Sequence, residues 1–479
     1  MPDTPFFPAW RAHLHRRRPL KAAFEQLRRC TLDKLEERLG LFLAGLPELS
    51  AAGISERERP YSVRRTFWCF LWQMLQPNGT CRDVVRQLQA MFLLEGRACV
   101  SERTGAYCQA RERLPEPLLR AALKVTAQAA DQRVELGQFL QGRPIKVLDG
   151  TTLTLPDTPE NQAVYPQLPS QKLGCGFPML HLVVVSSARG GGILHHAQGD
   201  YHHAEMRLVH QLCPTFAPQD IIIYDRAAGH YVGCALLQNR GAALISRVHV
   251  RKIDWRRGQR LGRDERLVVW RKSRKQPPYL TAEAWDALPR EVTVRVIRQR
   301  VKQAGFRTRE IILVTTLLDP IAYPREQIAA AYLRRWRVEM CLDDLKTTLA
   351  LDTLRCKKPE TVHRELLTLF IAHNLTRALM ATAAREHAVP LDQLSFKGTL
   401  DSLRQFCSAC AQTPRPAQRR VLWSTMLRII AADRVPLRPN RLEPRVVKRR
   451  PKSYPKLNRP RHLYRDTRHG CRFRQKSTT

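Results

Sequence analysis

The chain has 479 residues, of which 81 are Lys or Arg and 43 are Asp or Glu, giving a formal net charge of +38, and 43% are hydrophobic. This length and apolar content exclude a chain that is disordered throughout and allow roughly two to four domains. The charge predicts strong, salt-dependent binding to a polyphosphate partner, but it does not separate an enzyme that acts on DNA from a ribosomal or chromatin protein.

Residues 1–140 are predicted to form a helical N-terminal domain, which opens with the basic segment HLHRRRPLKAAF. The aromatic helix TFWCFLWQML ends at Pro-Asn-Gly, and Thr80 caps the helix that follows. Either Ser101 or Thr104 caps a third helix, which stops at Pro115. The domain is therefore expected to be a set of short helices with polar caps.

The second and third of these helices are compatible with a helix-turn-helix. Its second helix would offer Arg103, Tyr107, Gln109 and Arg111 to a major groove. The alternative is a plain helical bundle beside the rest of the protein. We take Arg103 and Arg111 as the candidate DNA-binding residues of this domain.

Residues 141–250 alternate strand-like and helix-like segments, which favours an α/β fold. Asp149 interrupts the apolar run in RPIKVLDGTTLTL, and Gly150 allows a ligand or a neighbouring backbone to approach closely. Asp225 ends the run DIIIY, which is typical of a buried central strand whose carboxyl end carries chemistry. An aspartate in that position can also be a helix N-cap, and this alternative stays open.

Residues 251–308 are predicted to form an inserted β-rich subdomain, because segments such as RLVVW and VTVRVI are β-branched or alternating. Trp255, Trp270 and Trp285 fall in this stretch. One of them could stack on an extruded base, and Trp270, which ends a strand amid Arg and Lys, is the first candidate. Packing inside the subdomain is the alternative role.

Residues 309–430 contain the strand IILVTTLLD, the segment AYLRRWRVEMCLDDLK and further helices. Tyr332, Arg335, Glu339 and Lys346 in that segment are offset by three, seven and fourteen positions from the tyrosine. At about 100° per residue they share nearly one helix face, with the last drifting by roughly 40°. One acid among cations suits a metal ligand beside a phosphate, and an ordinary Arg-Glu pair on a solvated helix is the alternative. Asp343 is the second choice for the acid.

Residues 431–479 form a tail rich in Pro, Arg and Lys that lacks the apolar residues needed to fold alone. We expect a disordered arm that binds DNA without sequence preference. A solvated basic tail with no dedicated task is the alternative.

The 13 cysteines are odd in number, scattered and mostly inside apolar or helical segments, which is typical of reduced thiols in a cytosolic protein. Cys407 and Cys410 lack a second pair, so helical packing is favoured over zinc. The histidine pairs at 195–196 and 202–203 point to opposite faces if they lie on strands, so surface or loop positions are expected. With no signal pattern or membrane-spanning apolar run in view, we expect a cytoplasmic, nucleoid-associated protein.

Three segments together resemble the DDE transposases of bacterial insertion sequences, specifically insertion-sequence family four, which is marked by a YREK signature. That signature is a Tyr, two residues, an Arg, three residues, a Glu, six residues and a Lys. Its spacing resembles that of Tyr332, Arg335, Glu339 and Lys346 without a gap. The segments VLDGTTLTLPDT and YDRAAGHY resemble the two aspartate motifs, and LDTLRCKKPETVHRELLTLFIAHNLTRALM is also similar. The resemblance covers roughly residues 60 to 425.

The resemblance implies a ribonuclease H-like α/β core with an inserted β-rich domain. It implies that Asp149, Asp225 and Glu339 are the catalytic residues and hold two Mg²⁺ ions, for which Mn²⁺ can substitute. Tyr332, Arg335 and Lys346 would hold DNA phosphates near the scissile bond.

The implied activity is cut-and-paste DNA transposition on double-stranded DNA by an enzyme that works as a homodimer when two element ends are paired. Another ribonuclease H-like metal nuclease, and a catalytically inactive DNA-binding derivative, are the alternatives. An RNA-binding basic protein fits less well, because it needs no buried acids in strands.

Overall fold

The computed structural model of the chain describes residues 36, 39–43, 46, 49, 60–94, 96–134, 139–201, 205–249, 253–300, 310–413, 415–435 and 456–464. The description leaves out the side chains at 94, 336–339, 353, 408, 411 and 412. The predictions for the basic opening and for most of the C-terminal tail therefore lie outside the described residues.

The chain separates into two compact units. The helical unit contains residues 1–134 and 366–435, and the sheet unit contains residues 135–365 and 436–479. The α-helices among the described residues are α1 (Val63–Leu75), α2 (Cys81–Leu94), α3 (Gly105–Glu112), α4 (Glu116–Asp131), α5 (Pro159–Val164), α6 (Glu205–Leu212), α7 (Tyr231–Gln238), α8 (Ala282–Asp286), α9 (Arg325–Leu333), α10 (Arg335–Asp343), α11 (Pro359–Glu386), α12 (Phe396–Gln412) and α13 (Pro416–Ala432).

The helical unit confirms the predicted cap of α2. Thr80 Oγ1 accepts the Asp83 amide at 3.2 Å, and Asp83 Oδ2 accepts the Thr80 amide at 2.8 Å, which together form a capping box. The C-terminal helices, which were predicted to belong to the catalytic core, fall in this unit from residue 366 onward. One reason is that buried Asn374 of α11 donates to the Leu123 carbonyl of α4 at 3.3 Å.

Helix α11 is, among the described residues, the one segment whose length and composition would let it cross a membrane. The sequence analysis had found no such run. Of its most apolar window, 94% is buried inside the protein, which is the behaviour of a core helix.

The sheet unit is built on one sheet that has nine strands over the described residues. Its order is β3-β2-β1-β4-β5-β9-β8-β7-β6. Strand β4 is parallel to β1 and to β5, and the other pairings are antiparallel. The strands are β1 (Ile145–Thr154), β2 (Met179–Ser187), β3 (Ile193–Asp200), β4 (Ile221–Tyr224), β5 (Ala243–Val248), β6 (Gln259–Gly262), β7 (Glu265–Arg271), β8 (Glu291–Arg300) and β9 (Glu310–Thr315).

The predicted inserted subdomain, residues 251–308, is continuous with this sheet. Strand β8 pairs with β9 from Arg295 to Arg300, and β9 in turn pairs with β5. The insertion is β-rich, as expected, but its strands extend the core sheet by main-chain hydrogen bonds. A single sequence does not specify this, because pairing between strands distant in the chain leaves no local pattern.

Two hydrophobic clusters cover the two faces of the sheet. Val147, Ile223 and Ile245 lie in one cluster with apolar residues of α9, and we call this side the α9 face. The residues that alternate with them, such as Leu148 and Ile222, lie in the other cluster with α6 and α7, and we call this side the α6–α7 face. Burial on both faces explains why these central strands are apolar throughout.

The segment predicted as one helix over 331–346 is interrupted. Helix α9 ends at Leu333, Arg334 forms a turn with φ −65° and ψ −16°, and α10 begins at the next residue. A π-helical turn, Asp344–Thr348, follows α10 directly. Because a π turn is wider than an α turn, Lys346 does not keep the angular position that a uniform helix would give it.

Candidate active site

Asp149 lies on β1, and Asp225 directly follows β4, the strand that pairs in parallel with β1. The pairing ends with Val147 and Ile223, two residues before the respective aspartates. Neighbouring strands lie about 4.8 Å apart and alternate residues of a strand share a face, so we expect both half-buried carboxylates on the α9 face. Both strands were predicted from the sequence.

Asp225 is also a cap. Its Oδ1 accepts the amide of Ala227 at 2.7 Å and begins the 3₁₀ turn Arg226–Ala228. Ser246 Oγ of β5 donates to the Asp225 carbonyl at 2.5 Å. The N-cap interpretation is therefore confirmed, and it is compatible with metal binding because the cap uses one of the two carboxylate oxygens and fixes the orientation of the other.

Tyr332 of the signature is within electrostatic range of Asp225. Its side chain is buried, with 5% exposed, and it belongs to the cluster on the α9 face. Burial raises the pKa of Tyr332 and the charge of Asp225 adds to the rise, whereas Arg335 and Arg247 oppose it. The guanidinium carbon of Arg335 is 5.8 Å from the ring centroid of Tyr332. The hydroxyl therefore sits among one acid and two cations.

Arg247 is a candidate site residue that the sequence analysis missed. The register of β4 with β5 pairs Tyr224 with Ser246, and the next position sets Arg247 opposite Asp225. The side chain is half-buried, and its charge acts on Tyr332. The signal that could have found it is a lone arginine inside the otherwise apolar strand ALISRV.

Glu339 lies in α10, and α10 contacts β1, the strand that carries Asp149. The side chain of Glu339 is outside the described residues, so the structure supplies its place in the helix only. Asp343, the second choice, is exposed at the end of α10, and Lys346 is half-buried in the π turn.

A buried arginine anchors the segment that leads into α9. Arg295 of β8 is 0% exposed and forms an ion pair with Glu265 of β7. Its Nη1 also donates to the carbonyls of Asp319 at 3.2 Å and Tyr323 at 2.7 Å. The extension of the sheet therefore holds the turn just before α9, the helix that carries Tyr332.

The α6–α7 face carries a second acid close to the same strands. The Tyr224 hydroxyl donates to Glu205 Oε1 at the start of α6. A Cβ atom on Gly150 would collide with Glu205 Oε1, so a larger residue there would require the Glu205 carboxylate to move. The close approach predicted at Gly150 is confirmed, although the approaching group is a carboxylate. Burial and the charge of Glu205 raise the pKa of Tyr224.

The proposed groove contacts of the helical unit need one correction. Arg111 is buried, with 7% exposed, and its guanidinium carbon lies 5.0 Å from the Phe70 ring centroid and 5.2 Å from that of Tyr107. Tyr107 is also fully buried. Neither side chain is presented to a groove, because both serve the helix core, so the prediction that Arg111 contacts DNA is wrong for this conformation. Arg103 is exposed and stays a prediction.

Trp270 lies on β7 and is partly buried against the core cluster of the α6–α7 face. Trp285 is buried in that cluster, and Trp255 is covered by Arg298, whose guanidinium carbon is 4.3 Å from the ring centroid. The contacts of Trp270 are those of a packed side chain, and its stacking on a base stays a prediction.

Cys407 and Cys410 are buried in α12, so helical packing is confirmed for them. His195 and His196 are half-buried neighbours on β3, and the ring of His196 lies 5.3 Å from that of His363. His202 and His203 lie outside the described residues.

The donor set fits a hard divalent cation. Asp149 and Asp225 offer carboxylate oxygens, which Mg²⁺ prefers, from one face of adjacent strands. Among the described side chains, no group of three or more acids, histidines or cysteines is close enough to hold a metal, and Glu339 is not among those side chains. The two aspartates are thus the described part of the site.

Comparison with known proteins matches residues 140–375 to the family model for a transposase DDE domain. Transposase InsG for insertion sequence element IS4, from Escherichia coli K12, is 26% identical over 423 residues, which are 85% of this chain and 91% of InsG. A second protein of that strain, InsZ, is 26% identical over 157 residues, which are 33% of this chain and 52% of InsZ. A piggyBac transposase in a synaptic complex with hairpin DNA has a TM-score of 0.41 at 8% identity over 88% of this chain and 87% of its own.

Both aspartates lie inside the matched region, and the chain is a DDE transposase, an enzyme that cleaves DNA and transfers strands. The YREK spacing and the similarity to InsG narrow the assignment. The chain belongs to insertion-sequence family four of the DDE transposases.

Proposed function

We propose that the chain catalyses Mg²⁺-dependent cleavage at the ends of an insertion sequence and joins the freed 3′ hydroxyl to target DNA by a cut-and-paste route. The observation that carries the proposal is the parallel pairing of β1, which carries Asp149, with β4, which Asp225 directly follows. The adjoining strands β1 to β5 would be the ribonuclease H-like core.

Asp149, Asp225 and Glu339 would hold the metal ions. When bound, a pair of Mg²⁺ ions supplies activation of an attacking oxygen and neutralisation of a leaving oxygen. The protein's contribution is to hold Asp149 on β1 and Asp225 directly after β4, and the Ala227 amide fixes the rotation of the Asp225 carboxylate. Mn²⁺ is expected to substitute for Mg²⁺.

The cations around Tyr332 would hold the DNA backbone. Arg247 and Arg335 are placed to attract a phosphate beside Asp225, and Tyr332 stays protonated because its pKa is raised, so its hydroxyl can donate to a phosphate oxygen. Lys346 would contact another phosphate of the same DNA strand. This set neutralises the charge that would otherwise repel DNA from the carboxylates.

The partners would be double-stranded DNA, namely the terminal inverted repeats and the target, and a second copy of the chain when two ends are paired. Arg103 and Trp270 remain proposed DNA contacts. A cytoplasmic, nucleoid-associated location is proposed with them. The net charge of +38 supports strong, salt-dependent DNA binding.

A labelled DNA end from the flanking genome, incubated with Mg²⁺ or Mn²⁺, tests the proposal. We expect nicking and joining to a second duplex with wild type, and loss of both with Glu339→Gln. Asp343→Asn is the matched control, because it removes an exposed acid from the same helix and should leave activity intact.

Loss of activity in Asp343→Asn with full activity in Glu339→Gln would move the third ligand to Asp343. Metal-dependent nicking without joining would favour the hydrolytic nuclease. DNA binding without any cleavage by wild type would favour an inactive derivative.

A further inference from the structure

Two cysteines meet between the helices α2 and α3. Cys81 is the first residue of α2 and Cys108 lies in α3, 27 positions later, and their sulfur atoms are 3.9 Å apart. Both side chains are half-buried, so a small solute can reach them. The transposase chemistry makes no use of either residue.

Charged and polar neighbours distinguish this pair from the buried cysteines. Arg111 Nη2 donates to Cys108 Sγ at 3.6 Å, and Gln73 Nε2 donates to Cys81 Sγ at 3.8 Å. The hydrogen bond with the Cys81 thiol lowers the pKa of Cys108, and the Arg111 guanidinium adds to this effect. Burial opposes both. The same hydrogen bond, followed by burial, raises the pKa of Cys81. A thiolate beside a protonated thiol is the arrangement that reacts with oxidants.

The buried network around Arg111 keeps this cation in place. Its guanidinium lies over the rings of Phe70 and Tyr107, and the Tyr107 hydroxyl donates to Gln73 Oε1 at 2.9 Å. The donors to both sulfurs therefore belong to one packed cluster. By contrast, Cys69, which is fully buried close by, has a pKa raised by burial to about 12.

We propose that Cys81 and Cys108 are a modification site that forms a reversible disulfide when the protein meets a hydroperoxide. The Cys108 thiolate attacks the O–O bond: an S–O bond forms, the O–O bond breaks, and the leaving oxygen takes a proton from water. The Cys81 thiol then attacks the sulfenic sulfur, so the S–S bond forms, the S–O bond breaks, and the hydroxyl leaves as water with the Cys81 proton. Two electrons pass from the thiols to the peroxide.

The disulfide would tie the start of α2 to α3. Since a disulfide requires about 2.05 Å between its sulfurs, the two helices must approach or their side chains must rotate, and Cys108 gives up its contact with Arg111. A dithiol reductant reverses the bond by exchange. The site is independent of the metal-binding carboxylates.

The test treats the reduced full-length protein with hydrogen peroxide and maps its peptides. We expect a cross-linked pair containing Cys81 and Cys108, which dithiothreitol removes. In Cys81→Ser the reaction should stop at a sulfenic acid on Cys108, which dimedone traps, and Cys108→Ser should show neither product. Cys99→Ser is the matched control, because Cys99 is exposed in the link between the same helices.

The absence of the cross-link in folded wild type would overturn the proposal even if a variant fails to fold. Oxidation of Cys99 or Cys175 ahead of Cys108 would overturn it as well. The proposal would be supported if the cross-link still forms in Cys99→Ser and if it forms faster than the other cysteines are oxidised.

Discussion

Two acid and tyrosine pairs lie on opposite faces of the sheet, next to the end of β4. On the α6–α7 face, Tyr224 donates its hydroxyl to Glu205, and on the α9 face Tyr332 is within electrostatic range of Asp225. Both tyrosines are buried, with 1% and 5% exposed. The residue types are alike, so composition does not show which pair serves chemistry.

The neighbours of the two pairs differ. The Tyr224 hydroxyl is bonded directly to the acid, which satisfies both groups inside the protein. The Tyr332 hydroxyl is flanked by Arg335 and Arg247, and Asp225 has its carboxylate held by a backbone amide. In the pair Tyr224 and Glu205, the two groups satisfy each other and stabilise the fold. The pair Tyr332 and Asp225 combines a carboxylate with nearby cations, as binding of metal and phosphate requires.

The largest effect is expected from Asp225→Asn. The amide oxygen of Asn can still accept the Ala227 amide, so the cap and the free energy of unfolding should change little, while the metal loses a charged ligand. Cleavage should fall by roughly 10³-fold or more, because metal charge stabilisation is worth several kcal/mol. The measurement is the rate of DNA-end cleavage beside a thermal unfolding curve. Full activity in this variant would contradict the assignment of Asp225 as a metal ligand.

Arg295→Met tests whether the extended sheet positions α9. It leaves Glu265 buried without its partner, which should cost about 3 to 5 kcal/mol of unfolding free energy. Hydrogen exchange at the amides of β8 and β9 would report the loss. The double variant Arg295→Met, Glu265→Leu should recover much of it, and if the single variant exchanges like wild type, the anchoring role is wrong.

Tyr332→Phe tests the acid and tyrosine pair on the α9 face. The ring keeps its packing, and only a hydroxyl placed among charges is lost. A hydrogen bond to a charged group is worth about 1.5 to 3 kcal/mol, so strand cleavage should slow by roughly 10- to 100-fold with little change in stability. Unaltered DNA affinity and cleavage would exclude a phosphate contact.

Tyr224→Phe should give the opposite pattern and the smallest effect. Loss of the bond to Glu205 should lower stability by about 1 kcal/mol and leave cleavage nearly unchanged. Because burial and Glu205 raise the pKa of Tyr224 above its ordinary value of 10.0, its contribution in wild type is complete below pH 10 and is lost as the pH rises further. The Phe variant should lack this alkaline loss in urea unfolding measured across pH.

The sequence predicted the parts of the site that depend on local pattern. Asp149 could be placed on a strand and Asp225 at the end of one because of the apolar runs beside them, and the cap at Thr80 could be found because its partner is three residues away. The opposition of Arg247 to Asp225 depends on strand register between distant segments, which one sequence does not encode locally.

The same limit explains the other differences. The turn at Arg334 carries no Gly or Pro to mark it, and its backbone angles remain nearly helical. Arg111 was expected to face a major groove as part of a helix-turn-helix, yet it packs against two aromatic rings in the core. Tertiary packing outweighed local preference at both places.

Because strands within residues 251–308 belong to the core sheet, this stretch cannot be deleted as if it were an independent domain. Its removal would take β8 from β9 and leave the β9 main chain, Glu310–Thr315, as a bare edge. Such an edge is a template for a strand of another molecule. A shortened version of this transposase should therefore tend to self-associate, unless a new strand or a charged residue blocks that edge.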